Sequence, residues 1–156
     1  MSSSNLQALT VLLERAEAER DEALRHLRDA QARADAAKHQ QEQLSQYRQD
    51  YRQRWSQEFA QRTTVQILGC YQNFGGRLDQ AIGQQSGIAD FADQRLNAAR
   101  DVLREREMRV ASVRKLIERR RAETLRTQMR QEQRSTDEQA ARAAARSSNP
   151  LTRLVA

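Results

Sequence analysis

Few residues of this sequence are of types that do covalent or metal chemistry, and their spacing does not combine them. His26 and His39 stand thirteen residues apart, on different faces of any helix that holds both. Neither has a paired cysteine or carboxylate at zinc-ligand spacing, so both read as surface residues and no metal is expected. Cys70 is the single cysteine and has no histidine near it in sequence to draw off its proton; it reads as a half-buried helical thiol. Gly75-Gly76 and Gly83 form neither G-x-G-x-x-G nor a loop ending in a phosphate-binding Lys. The carboxylates lie three and four residues from arginines, the pattern of solvated helix pairs. The sequence therefore predicts a non-enzyme without a cofactor.

What remains is recognition chemistry. The chain has only seven aromatic residues, all between positions 47 and 91, and Tyr47, Tyr51 and Trp55 are four apart on one helical face. Such a stripe either thickens a core or forms a docking surface. To choose, the elements that carry it must be placed.

With 4% aromatic and 31% charged residues, 156 residues cannot build a compact globular core. The Ala, Leu, Arg, Glu and Gln that dominate are the material of long helices burying a narrow seam. Ser4 and Gln7 have capping-box spacing. Counting heptads from Leu6, the inward a and d positions run Leu6, Leu9, Leu13, Ala16, Arg20, Ala23, Leu27, Ala30, Ala34, Ala37, Gln41, Leu44, Arg48, Tyr51, Trp55 and Glu58. Twelve of these sixteen are apolar, which a disordered chain would not sustain. A second series runs Leu68, Tyr71, Gly75, Leu78, Ile82, Gln85, Ala89, Ala92, Leu96, Ala99, Leu103, Arg106, Val110, Val113 and Ile117. Between them, the polar Gln61-Arg62-Thr63-Thr64 weakens helix propensity and can cap a new start.

Folding back at the break brings seams of equal length together, so the predicted fold is all-α, a long antiparallel two-helix coiled-coil hairpin. The helices are expected at about 5–60 and 65–146, with the turn at 61–64 and a loose tail at 147–156 after Ser147-Ser148-Asn149-Pro150. All five glycines fall early in the second helix, at about 1 kcal/mol each against Ala, so local irregularity is expected near the tip. In this hairpin Gln40, Leu44, Tyr47, Tyr51, Phe74, Leu78, Ala81 and Gln85 lie at similar heights along one side. Lys38, Ser45 and Arg52 occupy the opposite side, so the apolar widening is one-sided, as a docking surface would be.

The net charge of +6 belongs to the second half, where residues 61–156 hold 18 Lys/Arg against 11 Asp/Glu. Its arginine excess is compatible with an acidic partner surface or a polyanion; Arg100 to Arg134 alone holds 12 against 6, but no aromatic there could stack on bases, so a solvated helix face is favoured over nucleic acid. The N-terminus lacks a basic n-region and an uninterrupted apolar stretch, and no run reaches a membrane span. A cytoplasmic, soluble chain is expected. An opened hairpin paired as a homodimer is the competing assembly.

Gln40, Leu44, the Y-x-x-x-Y of Tyr47 and Tyr51, and YQNFGGRLDQAIGQQ from Tyr71 onward, with Phe74, Leu78 and Ala81, resemble the FliJ family of flagellar type III export proteins. The resemblance implies a cytoplasmic coiled-coil stalk, similar in form to the central stalk of rotary ATPases and associated with the inner membrane through the export apparatus. It implies that the free helix ends enter the pore of the hexameric export ATPase. Leu6, Leu9 and Leu13 with Arg114, Arg119, Arg120 and Arg121 are the residues that fall there. It maps a stripe contacting the cytoplasmic domain of the export-gate membrane protein onto Gln40, Leu44, Tyr47, Tyr51, Phe74, Leu78, Ala81 and Gln85. Gln85 stands where family members can have His, and Gly75-Gly76 interrupts the stripe. Export chaperones are a further partner class of the family, with no site located. A stalk of a virulence type III secretion system would share this architecture, and a basic nucleic-acid scaffold is the reading from another class.

Overall fold

The computed structural model describes residues 2–62 and 64–148. They form two helices, α1 (Ser2–Gln61) and the longer α2 (Val65–Ser147), with no strand among the described residues. The chain is the antiparallel hairpin that the two heptad series require. Cross-helix pairs descend in α2 as they ascend in α1: Glu19 with Arg106, Gln31 with Arg100, Ala37 with Gln85, and Arg48 with Asp79.

The turn is short because both helix ends are closed locally. Arg62 N–H donates to the Glu58 carbonyl at 2.9 Å and extends the end of α1. The Thr64 hydroxyl accepts from the Ile67 N–H at 3.3 Å and caps the start of α2. At the far end, the Ser147 hydroxyl donates to the Ala144 carbonyl and Ser148 N–H does the same, closing the helix. Of the loose tail expected at 147–156, Ser147 is instead the last residue of α2 and Ser148 forms a turn on it; residues 149–156 lie outside the described residues.

The hairpin comprises two compact units. One holds residues 17–108. Its seam is narrow and rich in alanine: Ala34, Ala37, Ala92 and Leu96 are buried together, with Leu27, Ala30 and Ala89 against them. Small side chains at facing a and d positions bring two helices close, so each residue buries little area and Leu96 is the one large side chain among the four buried residues. The other unit joins the start of α1 to residues 109–148. Ala16, Val110, Val113 and Ile117 are buried there, and Leu6, Leu9 and Leu13 are half-buried in the same seam. From Glu118 to Ser148 no described residue is buried, which follows from the end of the apolar stripe at Ile117.

Three expectations need correction. The irregularity near the tip is absent: α2 runs unbroken through all five glycines, none at positive φ. Packing of the seam and the neighbouring aromatics outweighs the propensity cost. At the tip the seam also leaves strict heptad positions, since Glu58 and Leu68 are exposed while Phe59 and Ile67 are half-buried in their place. A helix of 3.6 residues per turn drifts from a 3.5-residue repeat, and the last turn has no further layer to hold it. Finally, α1 opens at Ser2, which puts Ser4 inside its first turn rather than ahead of it.

Candidate protein-docking site

The aromatic stretch forms a cluster that closes the tip of the 17–108 unit. Tyr51 is the hub. Its ring stacks on Tyr71 with centroids 5.4 Å apart, lies 4.9 Å from Phe74 and meets Trp55 edge-on at 5.9 Å. Trp55 and Tyr71 both reach Phe59, at 5.4 and 5.3 Å. Five of the seven aromatics are thus joined across the two helices, in one stacked pair and otherwise in tilted and edge-to-face geometries. Burial among them pushes the Tyr51 phenol above its ordinary pKa.

Next to the cluster, one polar residue in the seam fixes the register. Arg48 occupies an a position, and its guanidinium grips Asp79 on α2 with two hydrogen bonds, Nε to Oδ1 at 2.8 Å and Nη2 to Oδ2 at 3.3 Å. That grip raises the Arg48 pKa against the opposing effect of burial and lowers that of Asp79. Nη1 is buried without a hydrogen-bond partner among the described residues. Leaving it so is costly, and only one arrangement of the helices offers Asp79 as compensation.

The guanidinium also explains one glycine. A Cβ on Gly75 would stand 3.1 Å from Arg48 Nη2, whereas one on Gly69, Gly76, Gly83 or Gly87 would meet nothing within 4 Å. Gly76→Ala is therefore expected to stabilise the hairpin by about 0.5–1 kcal/mol in denaturant unfolding. Gly75→Ala should gain less or lose stability, because the clamped guanidinium cannot withdraw without breaking its bonds to Asp79. A larger gain at Gly75 than at Gly76 would show that Arg48 is not held.

The eight residues expected to form one stripe divide by exposure. Gln40, Tyr47 and Phe74 are open to solvent, Tyr47 at 51% and Phe74 at 40%. Leu44, Tyr51, Ala81 and Gln85 are half-buried, and Leu78 is core at 8%. Gln40, Leu44, Tyr47 and Gln85 line one open groove together with Gln43, Gln46 and Asp50. Gln85 Nε2 donates to the Ala37 carbonyl at 3.1 Å, so that amide is committed to the seam. Tyr51 and Leu78 hold the surface from below, while Tyr47 and Phe74 present it.

In the other unit, Leu6, Leu9 and Leu13 turn inward, while Arg114, Arg119, Arg120 and Arg121 are exposed. Leu6 and Arg120 also line a groove between the start of α1 and residues 120–131. The apolar residues open to a partner are Val11 and Leu12 on α1, with Leu116, Leu125 and Met129 on α2. None of these five is at an a or d position, so heptad counting passes over them; their signal is an apolar residue out of phase with the seam.

His26 and His39 are exposed, and so is Cys70, which is not the half-buried thiol expected. Cys70 precedes the seam residue Tyr71 and so falls off the inward face of α2. Among the described residues no group of three His, Cys, Asp or Glu could hold a metal ion, and no helix is long and apolar enough to cross a membrane.

No curated protein and no solved structure is matched by the chain. The family model described as "Flagellar FliJ protein" matches residues 5–149, nearly the full length. The heptad seams, the hairpin and the Tyr/Phe tip are thus found together in a chain that belongs to the FliJ family of flagellar proteins.

Proposed function

We propose that this chain is a non-enzymatic helical link of the flagellar protein-export apparatus, one unit engaging the hexameric export ATPase and the other the cytoplasmic domain of the export gate. Membership of the family supports the export apparatus as its setting. The observation that carries the finer reading is the solvent-facing pair Tyr47 and Phe74: Phe74 rests on Tyr51 of the aromatic cluster, and Tyr47 borders a groove lined mainly by Gln40, Gln43, Gln46 and Asp50. Exposed aromatics on a rigid base are the usual anchors of protein recognition.

The 109–148 unit suits a different partner. Residues 118–148 carry eight arginines against five carboxylates and bury nothing. An arginine-rich helix beside exposed Val11 and Leu12 fits a channel lined by carboxylates, where guanidinium forks can pair in turn with several subunits. Coupling requires each surface to prefer one state of its partner, since equal affinity for both states would transmit nothing. In this reading the chain works in the cytoplasm and meets the inner membrane only through its partners.

Truncation after Ile117 tests the division of labour. Binding to purified ATPase is expected to fall at least about tenfold, while binding to the gate domain changes by less than about twofold. ATPase binding should also weaken as salt rises, because exposed charges carry it. Equal loss of both partners on truncation, or binding of neither by the intact chain, would overturn the assignment.

A further inference from the structure

The most apolar concavity of the 17–108 unit lies outside the residues assigned to the gate and does not depend on them. It is a groove of about 480 Å³ between α1 and α2, with Ala37 and Ala92 buried in its floor. On its α2 side stand Ile88 and Phe91, exposed at 55% and 59%. More than half of each of these two large apolar side chains, beside an alanine floor, is left uncovered by the hairpin.

The walls say what would cover it. Arg33 rises on the α1 side and Arg95 on the α2 side. Neither has a carboxylate partner among the described residues; the Arg95 guanidinium carbon instead lies 5.5 Å from the centre of the Phe91 ring. His26 lines the same groove with its Nε2 3.6 Å from a Glu22 carboxylate oxygen, and Asp29 is the one carboxylate of the lining itself. A furrow between antiparallel helices accepts a third helix ridge into groove, and a floor of methyl groups lets it approach closely. Unpaired guanidinium groups on both walls select carboxylates along both flanks of that helix.

We propose that this groove is a docking site for an acidic amphipathic helix of a partner protein, anchored by Ile88 and Phe91 and oriented by Arg33 and Arg95. The incoming apolar stripe lies on Ala37 and Ala92. The carboxylates draw Arg95 off the Phe91 ring and expose that ring to the partner.

Titration of the isotopically labelled full chain with a synthetic helical peptide tests this. The probe carries leucines at i, i+3, i+4 and i+7 with glutamates on either side; a second peptide has lysine for each glutamate. The expected result is chemical-shift change centred on Ile88 and Phe91, with the acidic peptide binding at least about tenfold tighter than the basic one. Ile88→Ser/Phe91→Ser should weaken the acidic peptide by about tenfold or more. Arg33→Glu/Arg95→Glu should reverse the preference between peptides, and as an exchange of surface charges it carries the test even if the serine variant unfolds. Shifts elsewhere, equal affinity for both peptides, or an unchanged preference after charge reversal would overturn the proposal. So would a concentration-dependent doubling of mass abolished by Phe91→Ser, which would assign the groove to a second copy of this chain.

Discussion

Leu96→Ala is expected to lower stability by about 2–4 kcal/mol, the largest loss from any single truncation in the 17–108 seam. Leu96 is 4% exposed and packs with Ala34, Ala37 and Ala92, which have no longer side chain to swing into the space it leaves; Leu27, at the edge of the cluster, is already engaged in packing. Its three lost carbons account for about 2 kcal/mol of transfer free energy, and the unfilled cavity adds to that. For a chain of this size the midpoint should fall by about 5–10 °C. Leu125→Ala is the control, since Leu125 is well exposed and should cost no more than about 0.5 kcal/mol. Thermal unfolding followed by circular dichroism measures both, and hydrogen exchange would place the loss of protection in the alanine-rich unit. If the two variants melt together, the seam does not hold the hairpin as described and the stability must come from the flanking helix surfaces.

The seam could be read from sequence because burial in a two-helix structure repeats with the helix itself, so one register accounts for Leu6 through Trp55 and for Tyr71 through Ile117. The same register carried a warning about the docking stripe. Leu78 and Gln85 occupy d positions, and d positions point inward; the structure buries the first and commits the amide of the second to Ala37. Other features depend on which residues meet across the hairpin, which spacing along one helix does not contain. Gly75 reads as a softening residue until Arg48, twenty-seven positions earlier, is seen against it. Ile88 and Phe91 fall outside the a and d series, so a count of seam residues discards them, although an exposed apolar pair away from a seam is the stronger hint of a partner. The tip glycines show the opposite error, where an intrinsic preference was overridden by packing between Tyr51, Tyr71 and Phe74.

Tyr47→Ala/Phe74→Ala is expected to abolish measurable binding to the gate's cytoplasmic domain while leaving ATPase binding and the melting transition nearly unchanged. Two aromatic anchors at the centre of a small interface typically account for about 2 kcal/mol or more each, so joint loss corresponds to roughly a thousandfold weaker affinity. The fold should survive because both side chains are about half exposed, and the ring contacts among Tyr51, Trp55, Phe59 and Tyr71 remain without Phe74. Tyr51→Ala provides the contrast that separates anchor from support. Tyr51 touches three rings, so its removal should lower both the melting midpoint and gate binding, whereas Tyr47→Ala should lower binding alone. Calorimetric titration of the purified gate domain against each variant, beside thermal melts of the same preparations, distinguishes the cases. Gate affinity within about threefold of the unsubstituted chain in the double variant would remove Tyr47 and Phe74 as anchors. Their exposure would then have to be explained by another partner, and the polar groove through Gln40 and Gln43 would become the first place to look for the gate's contact.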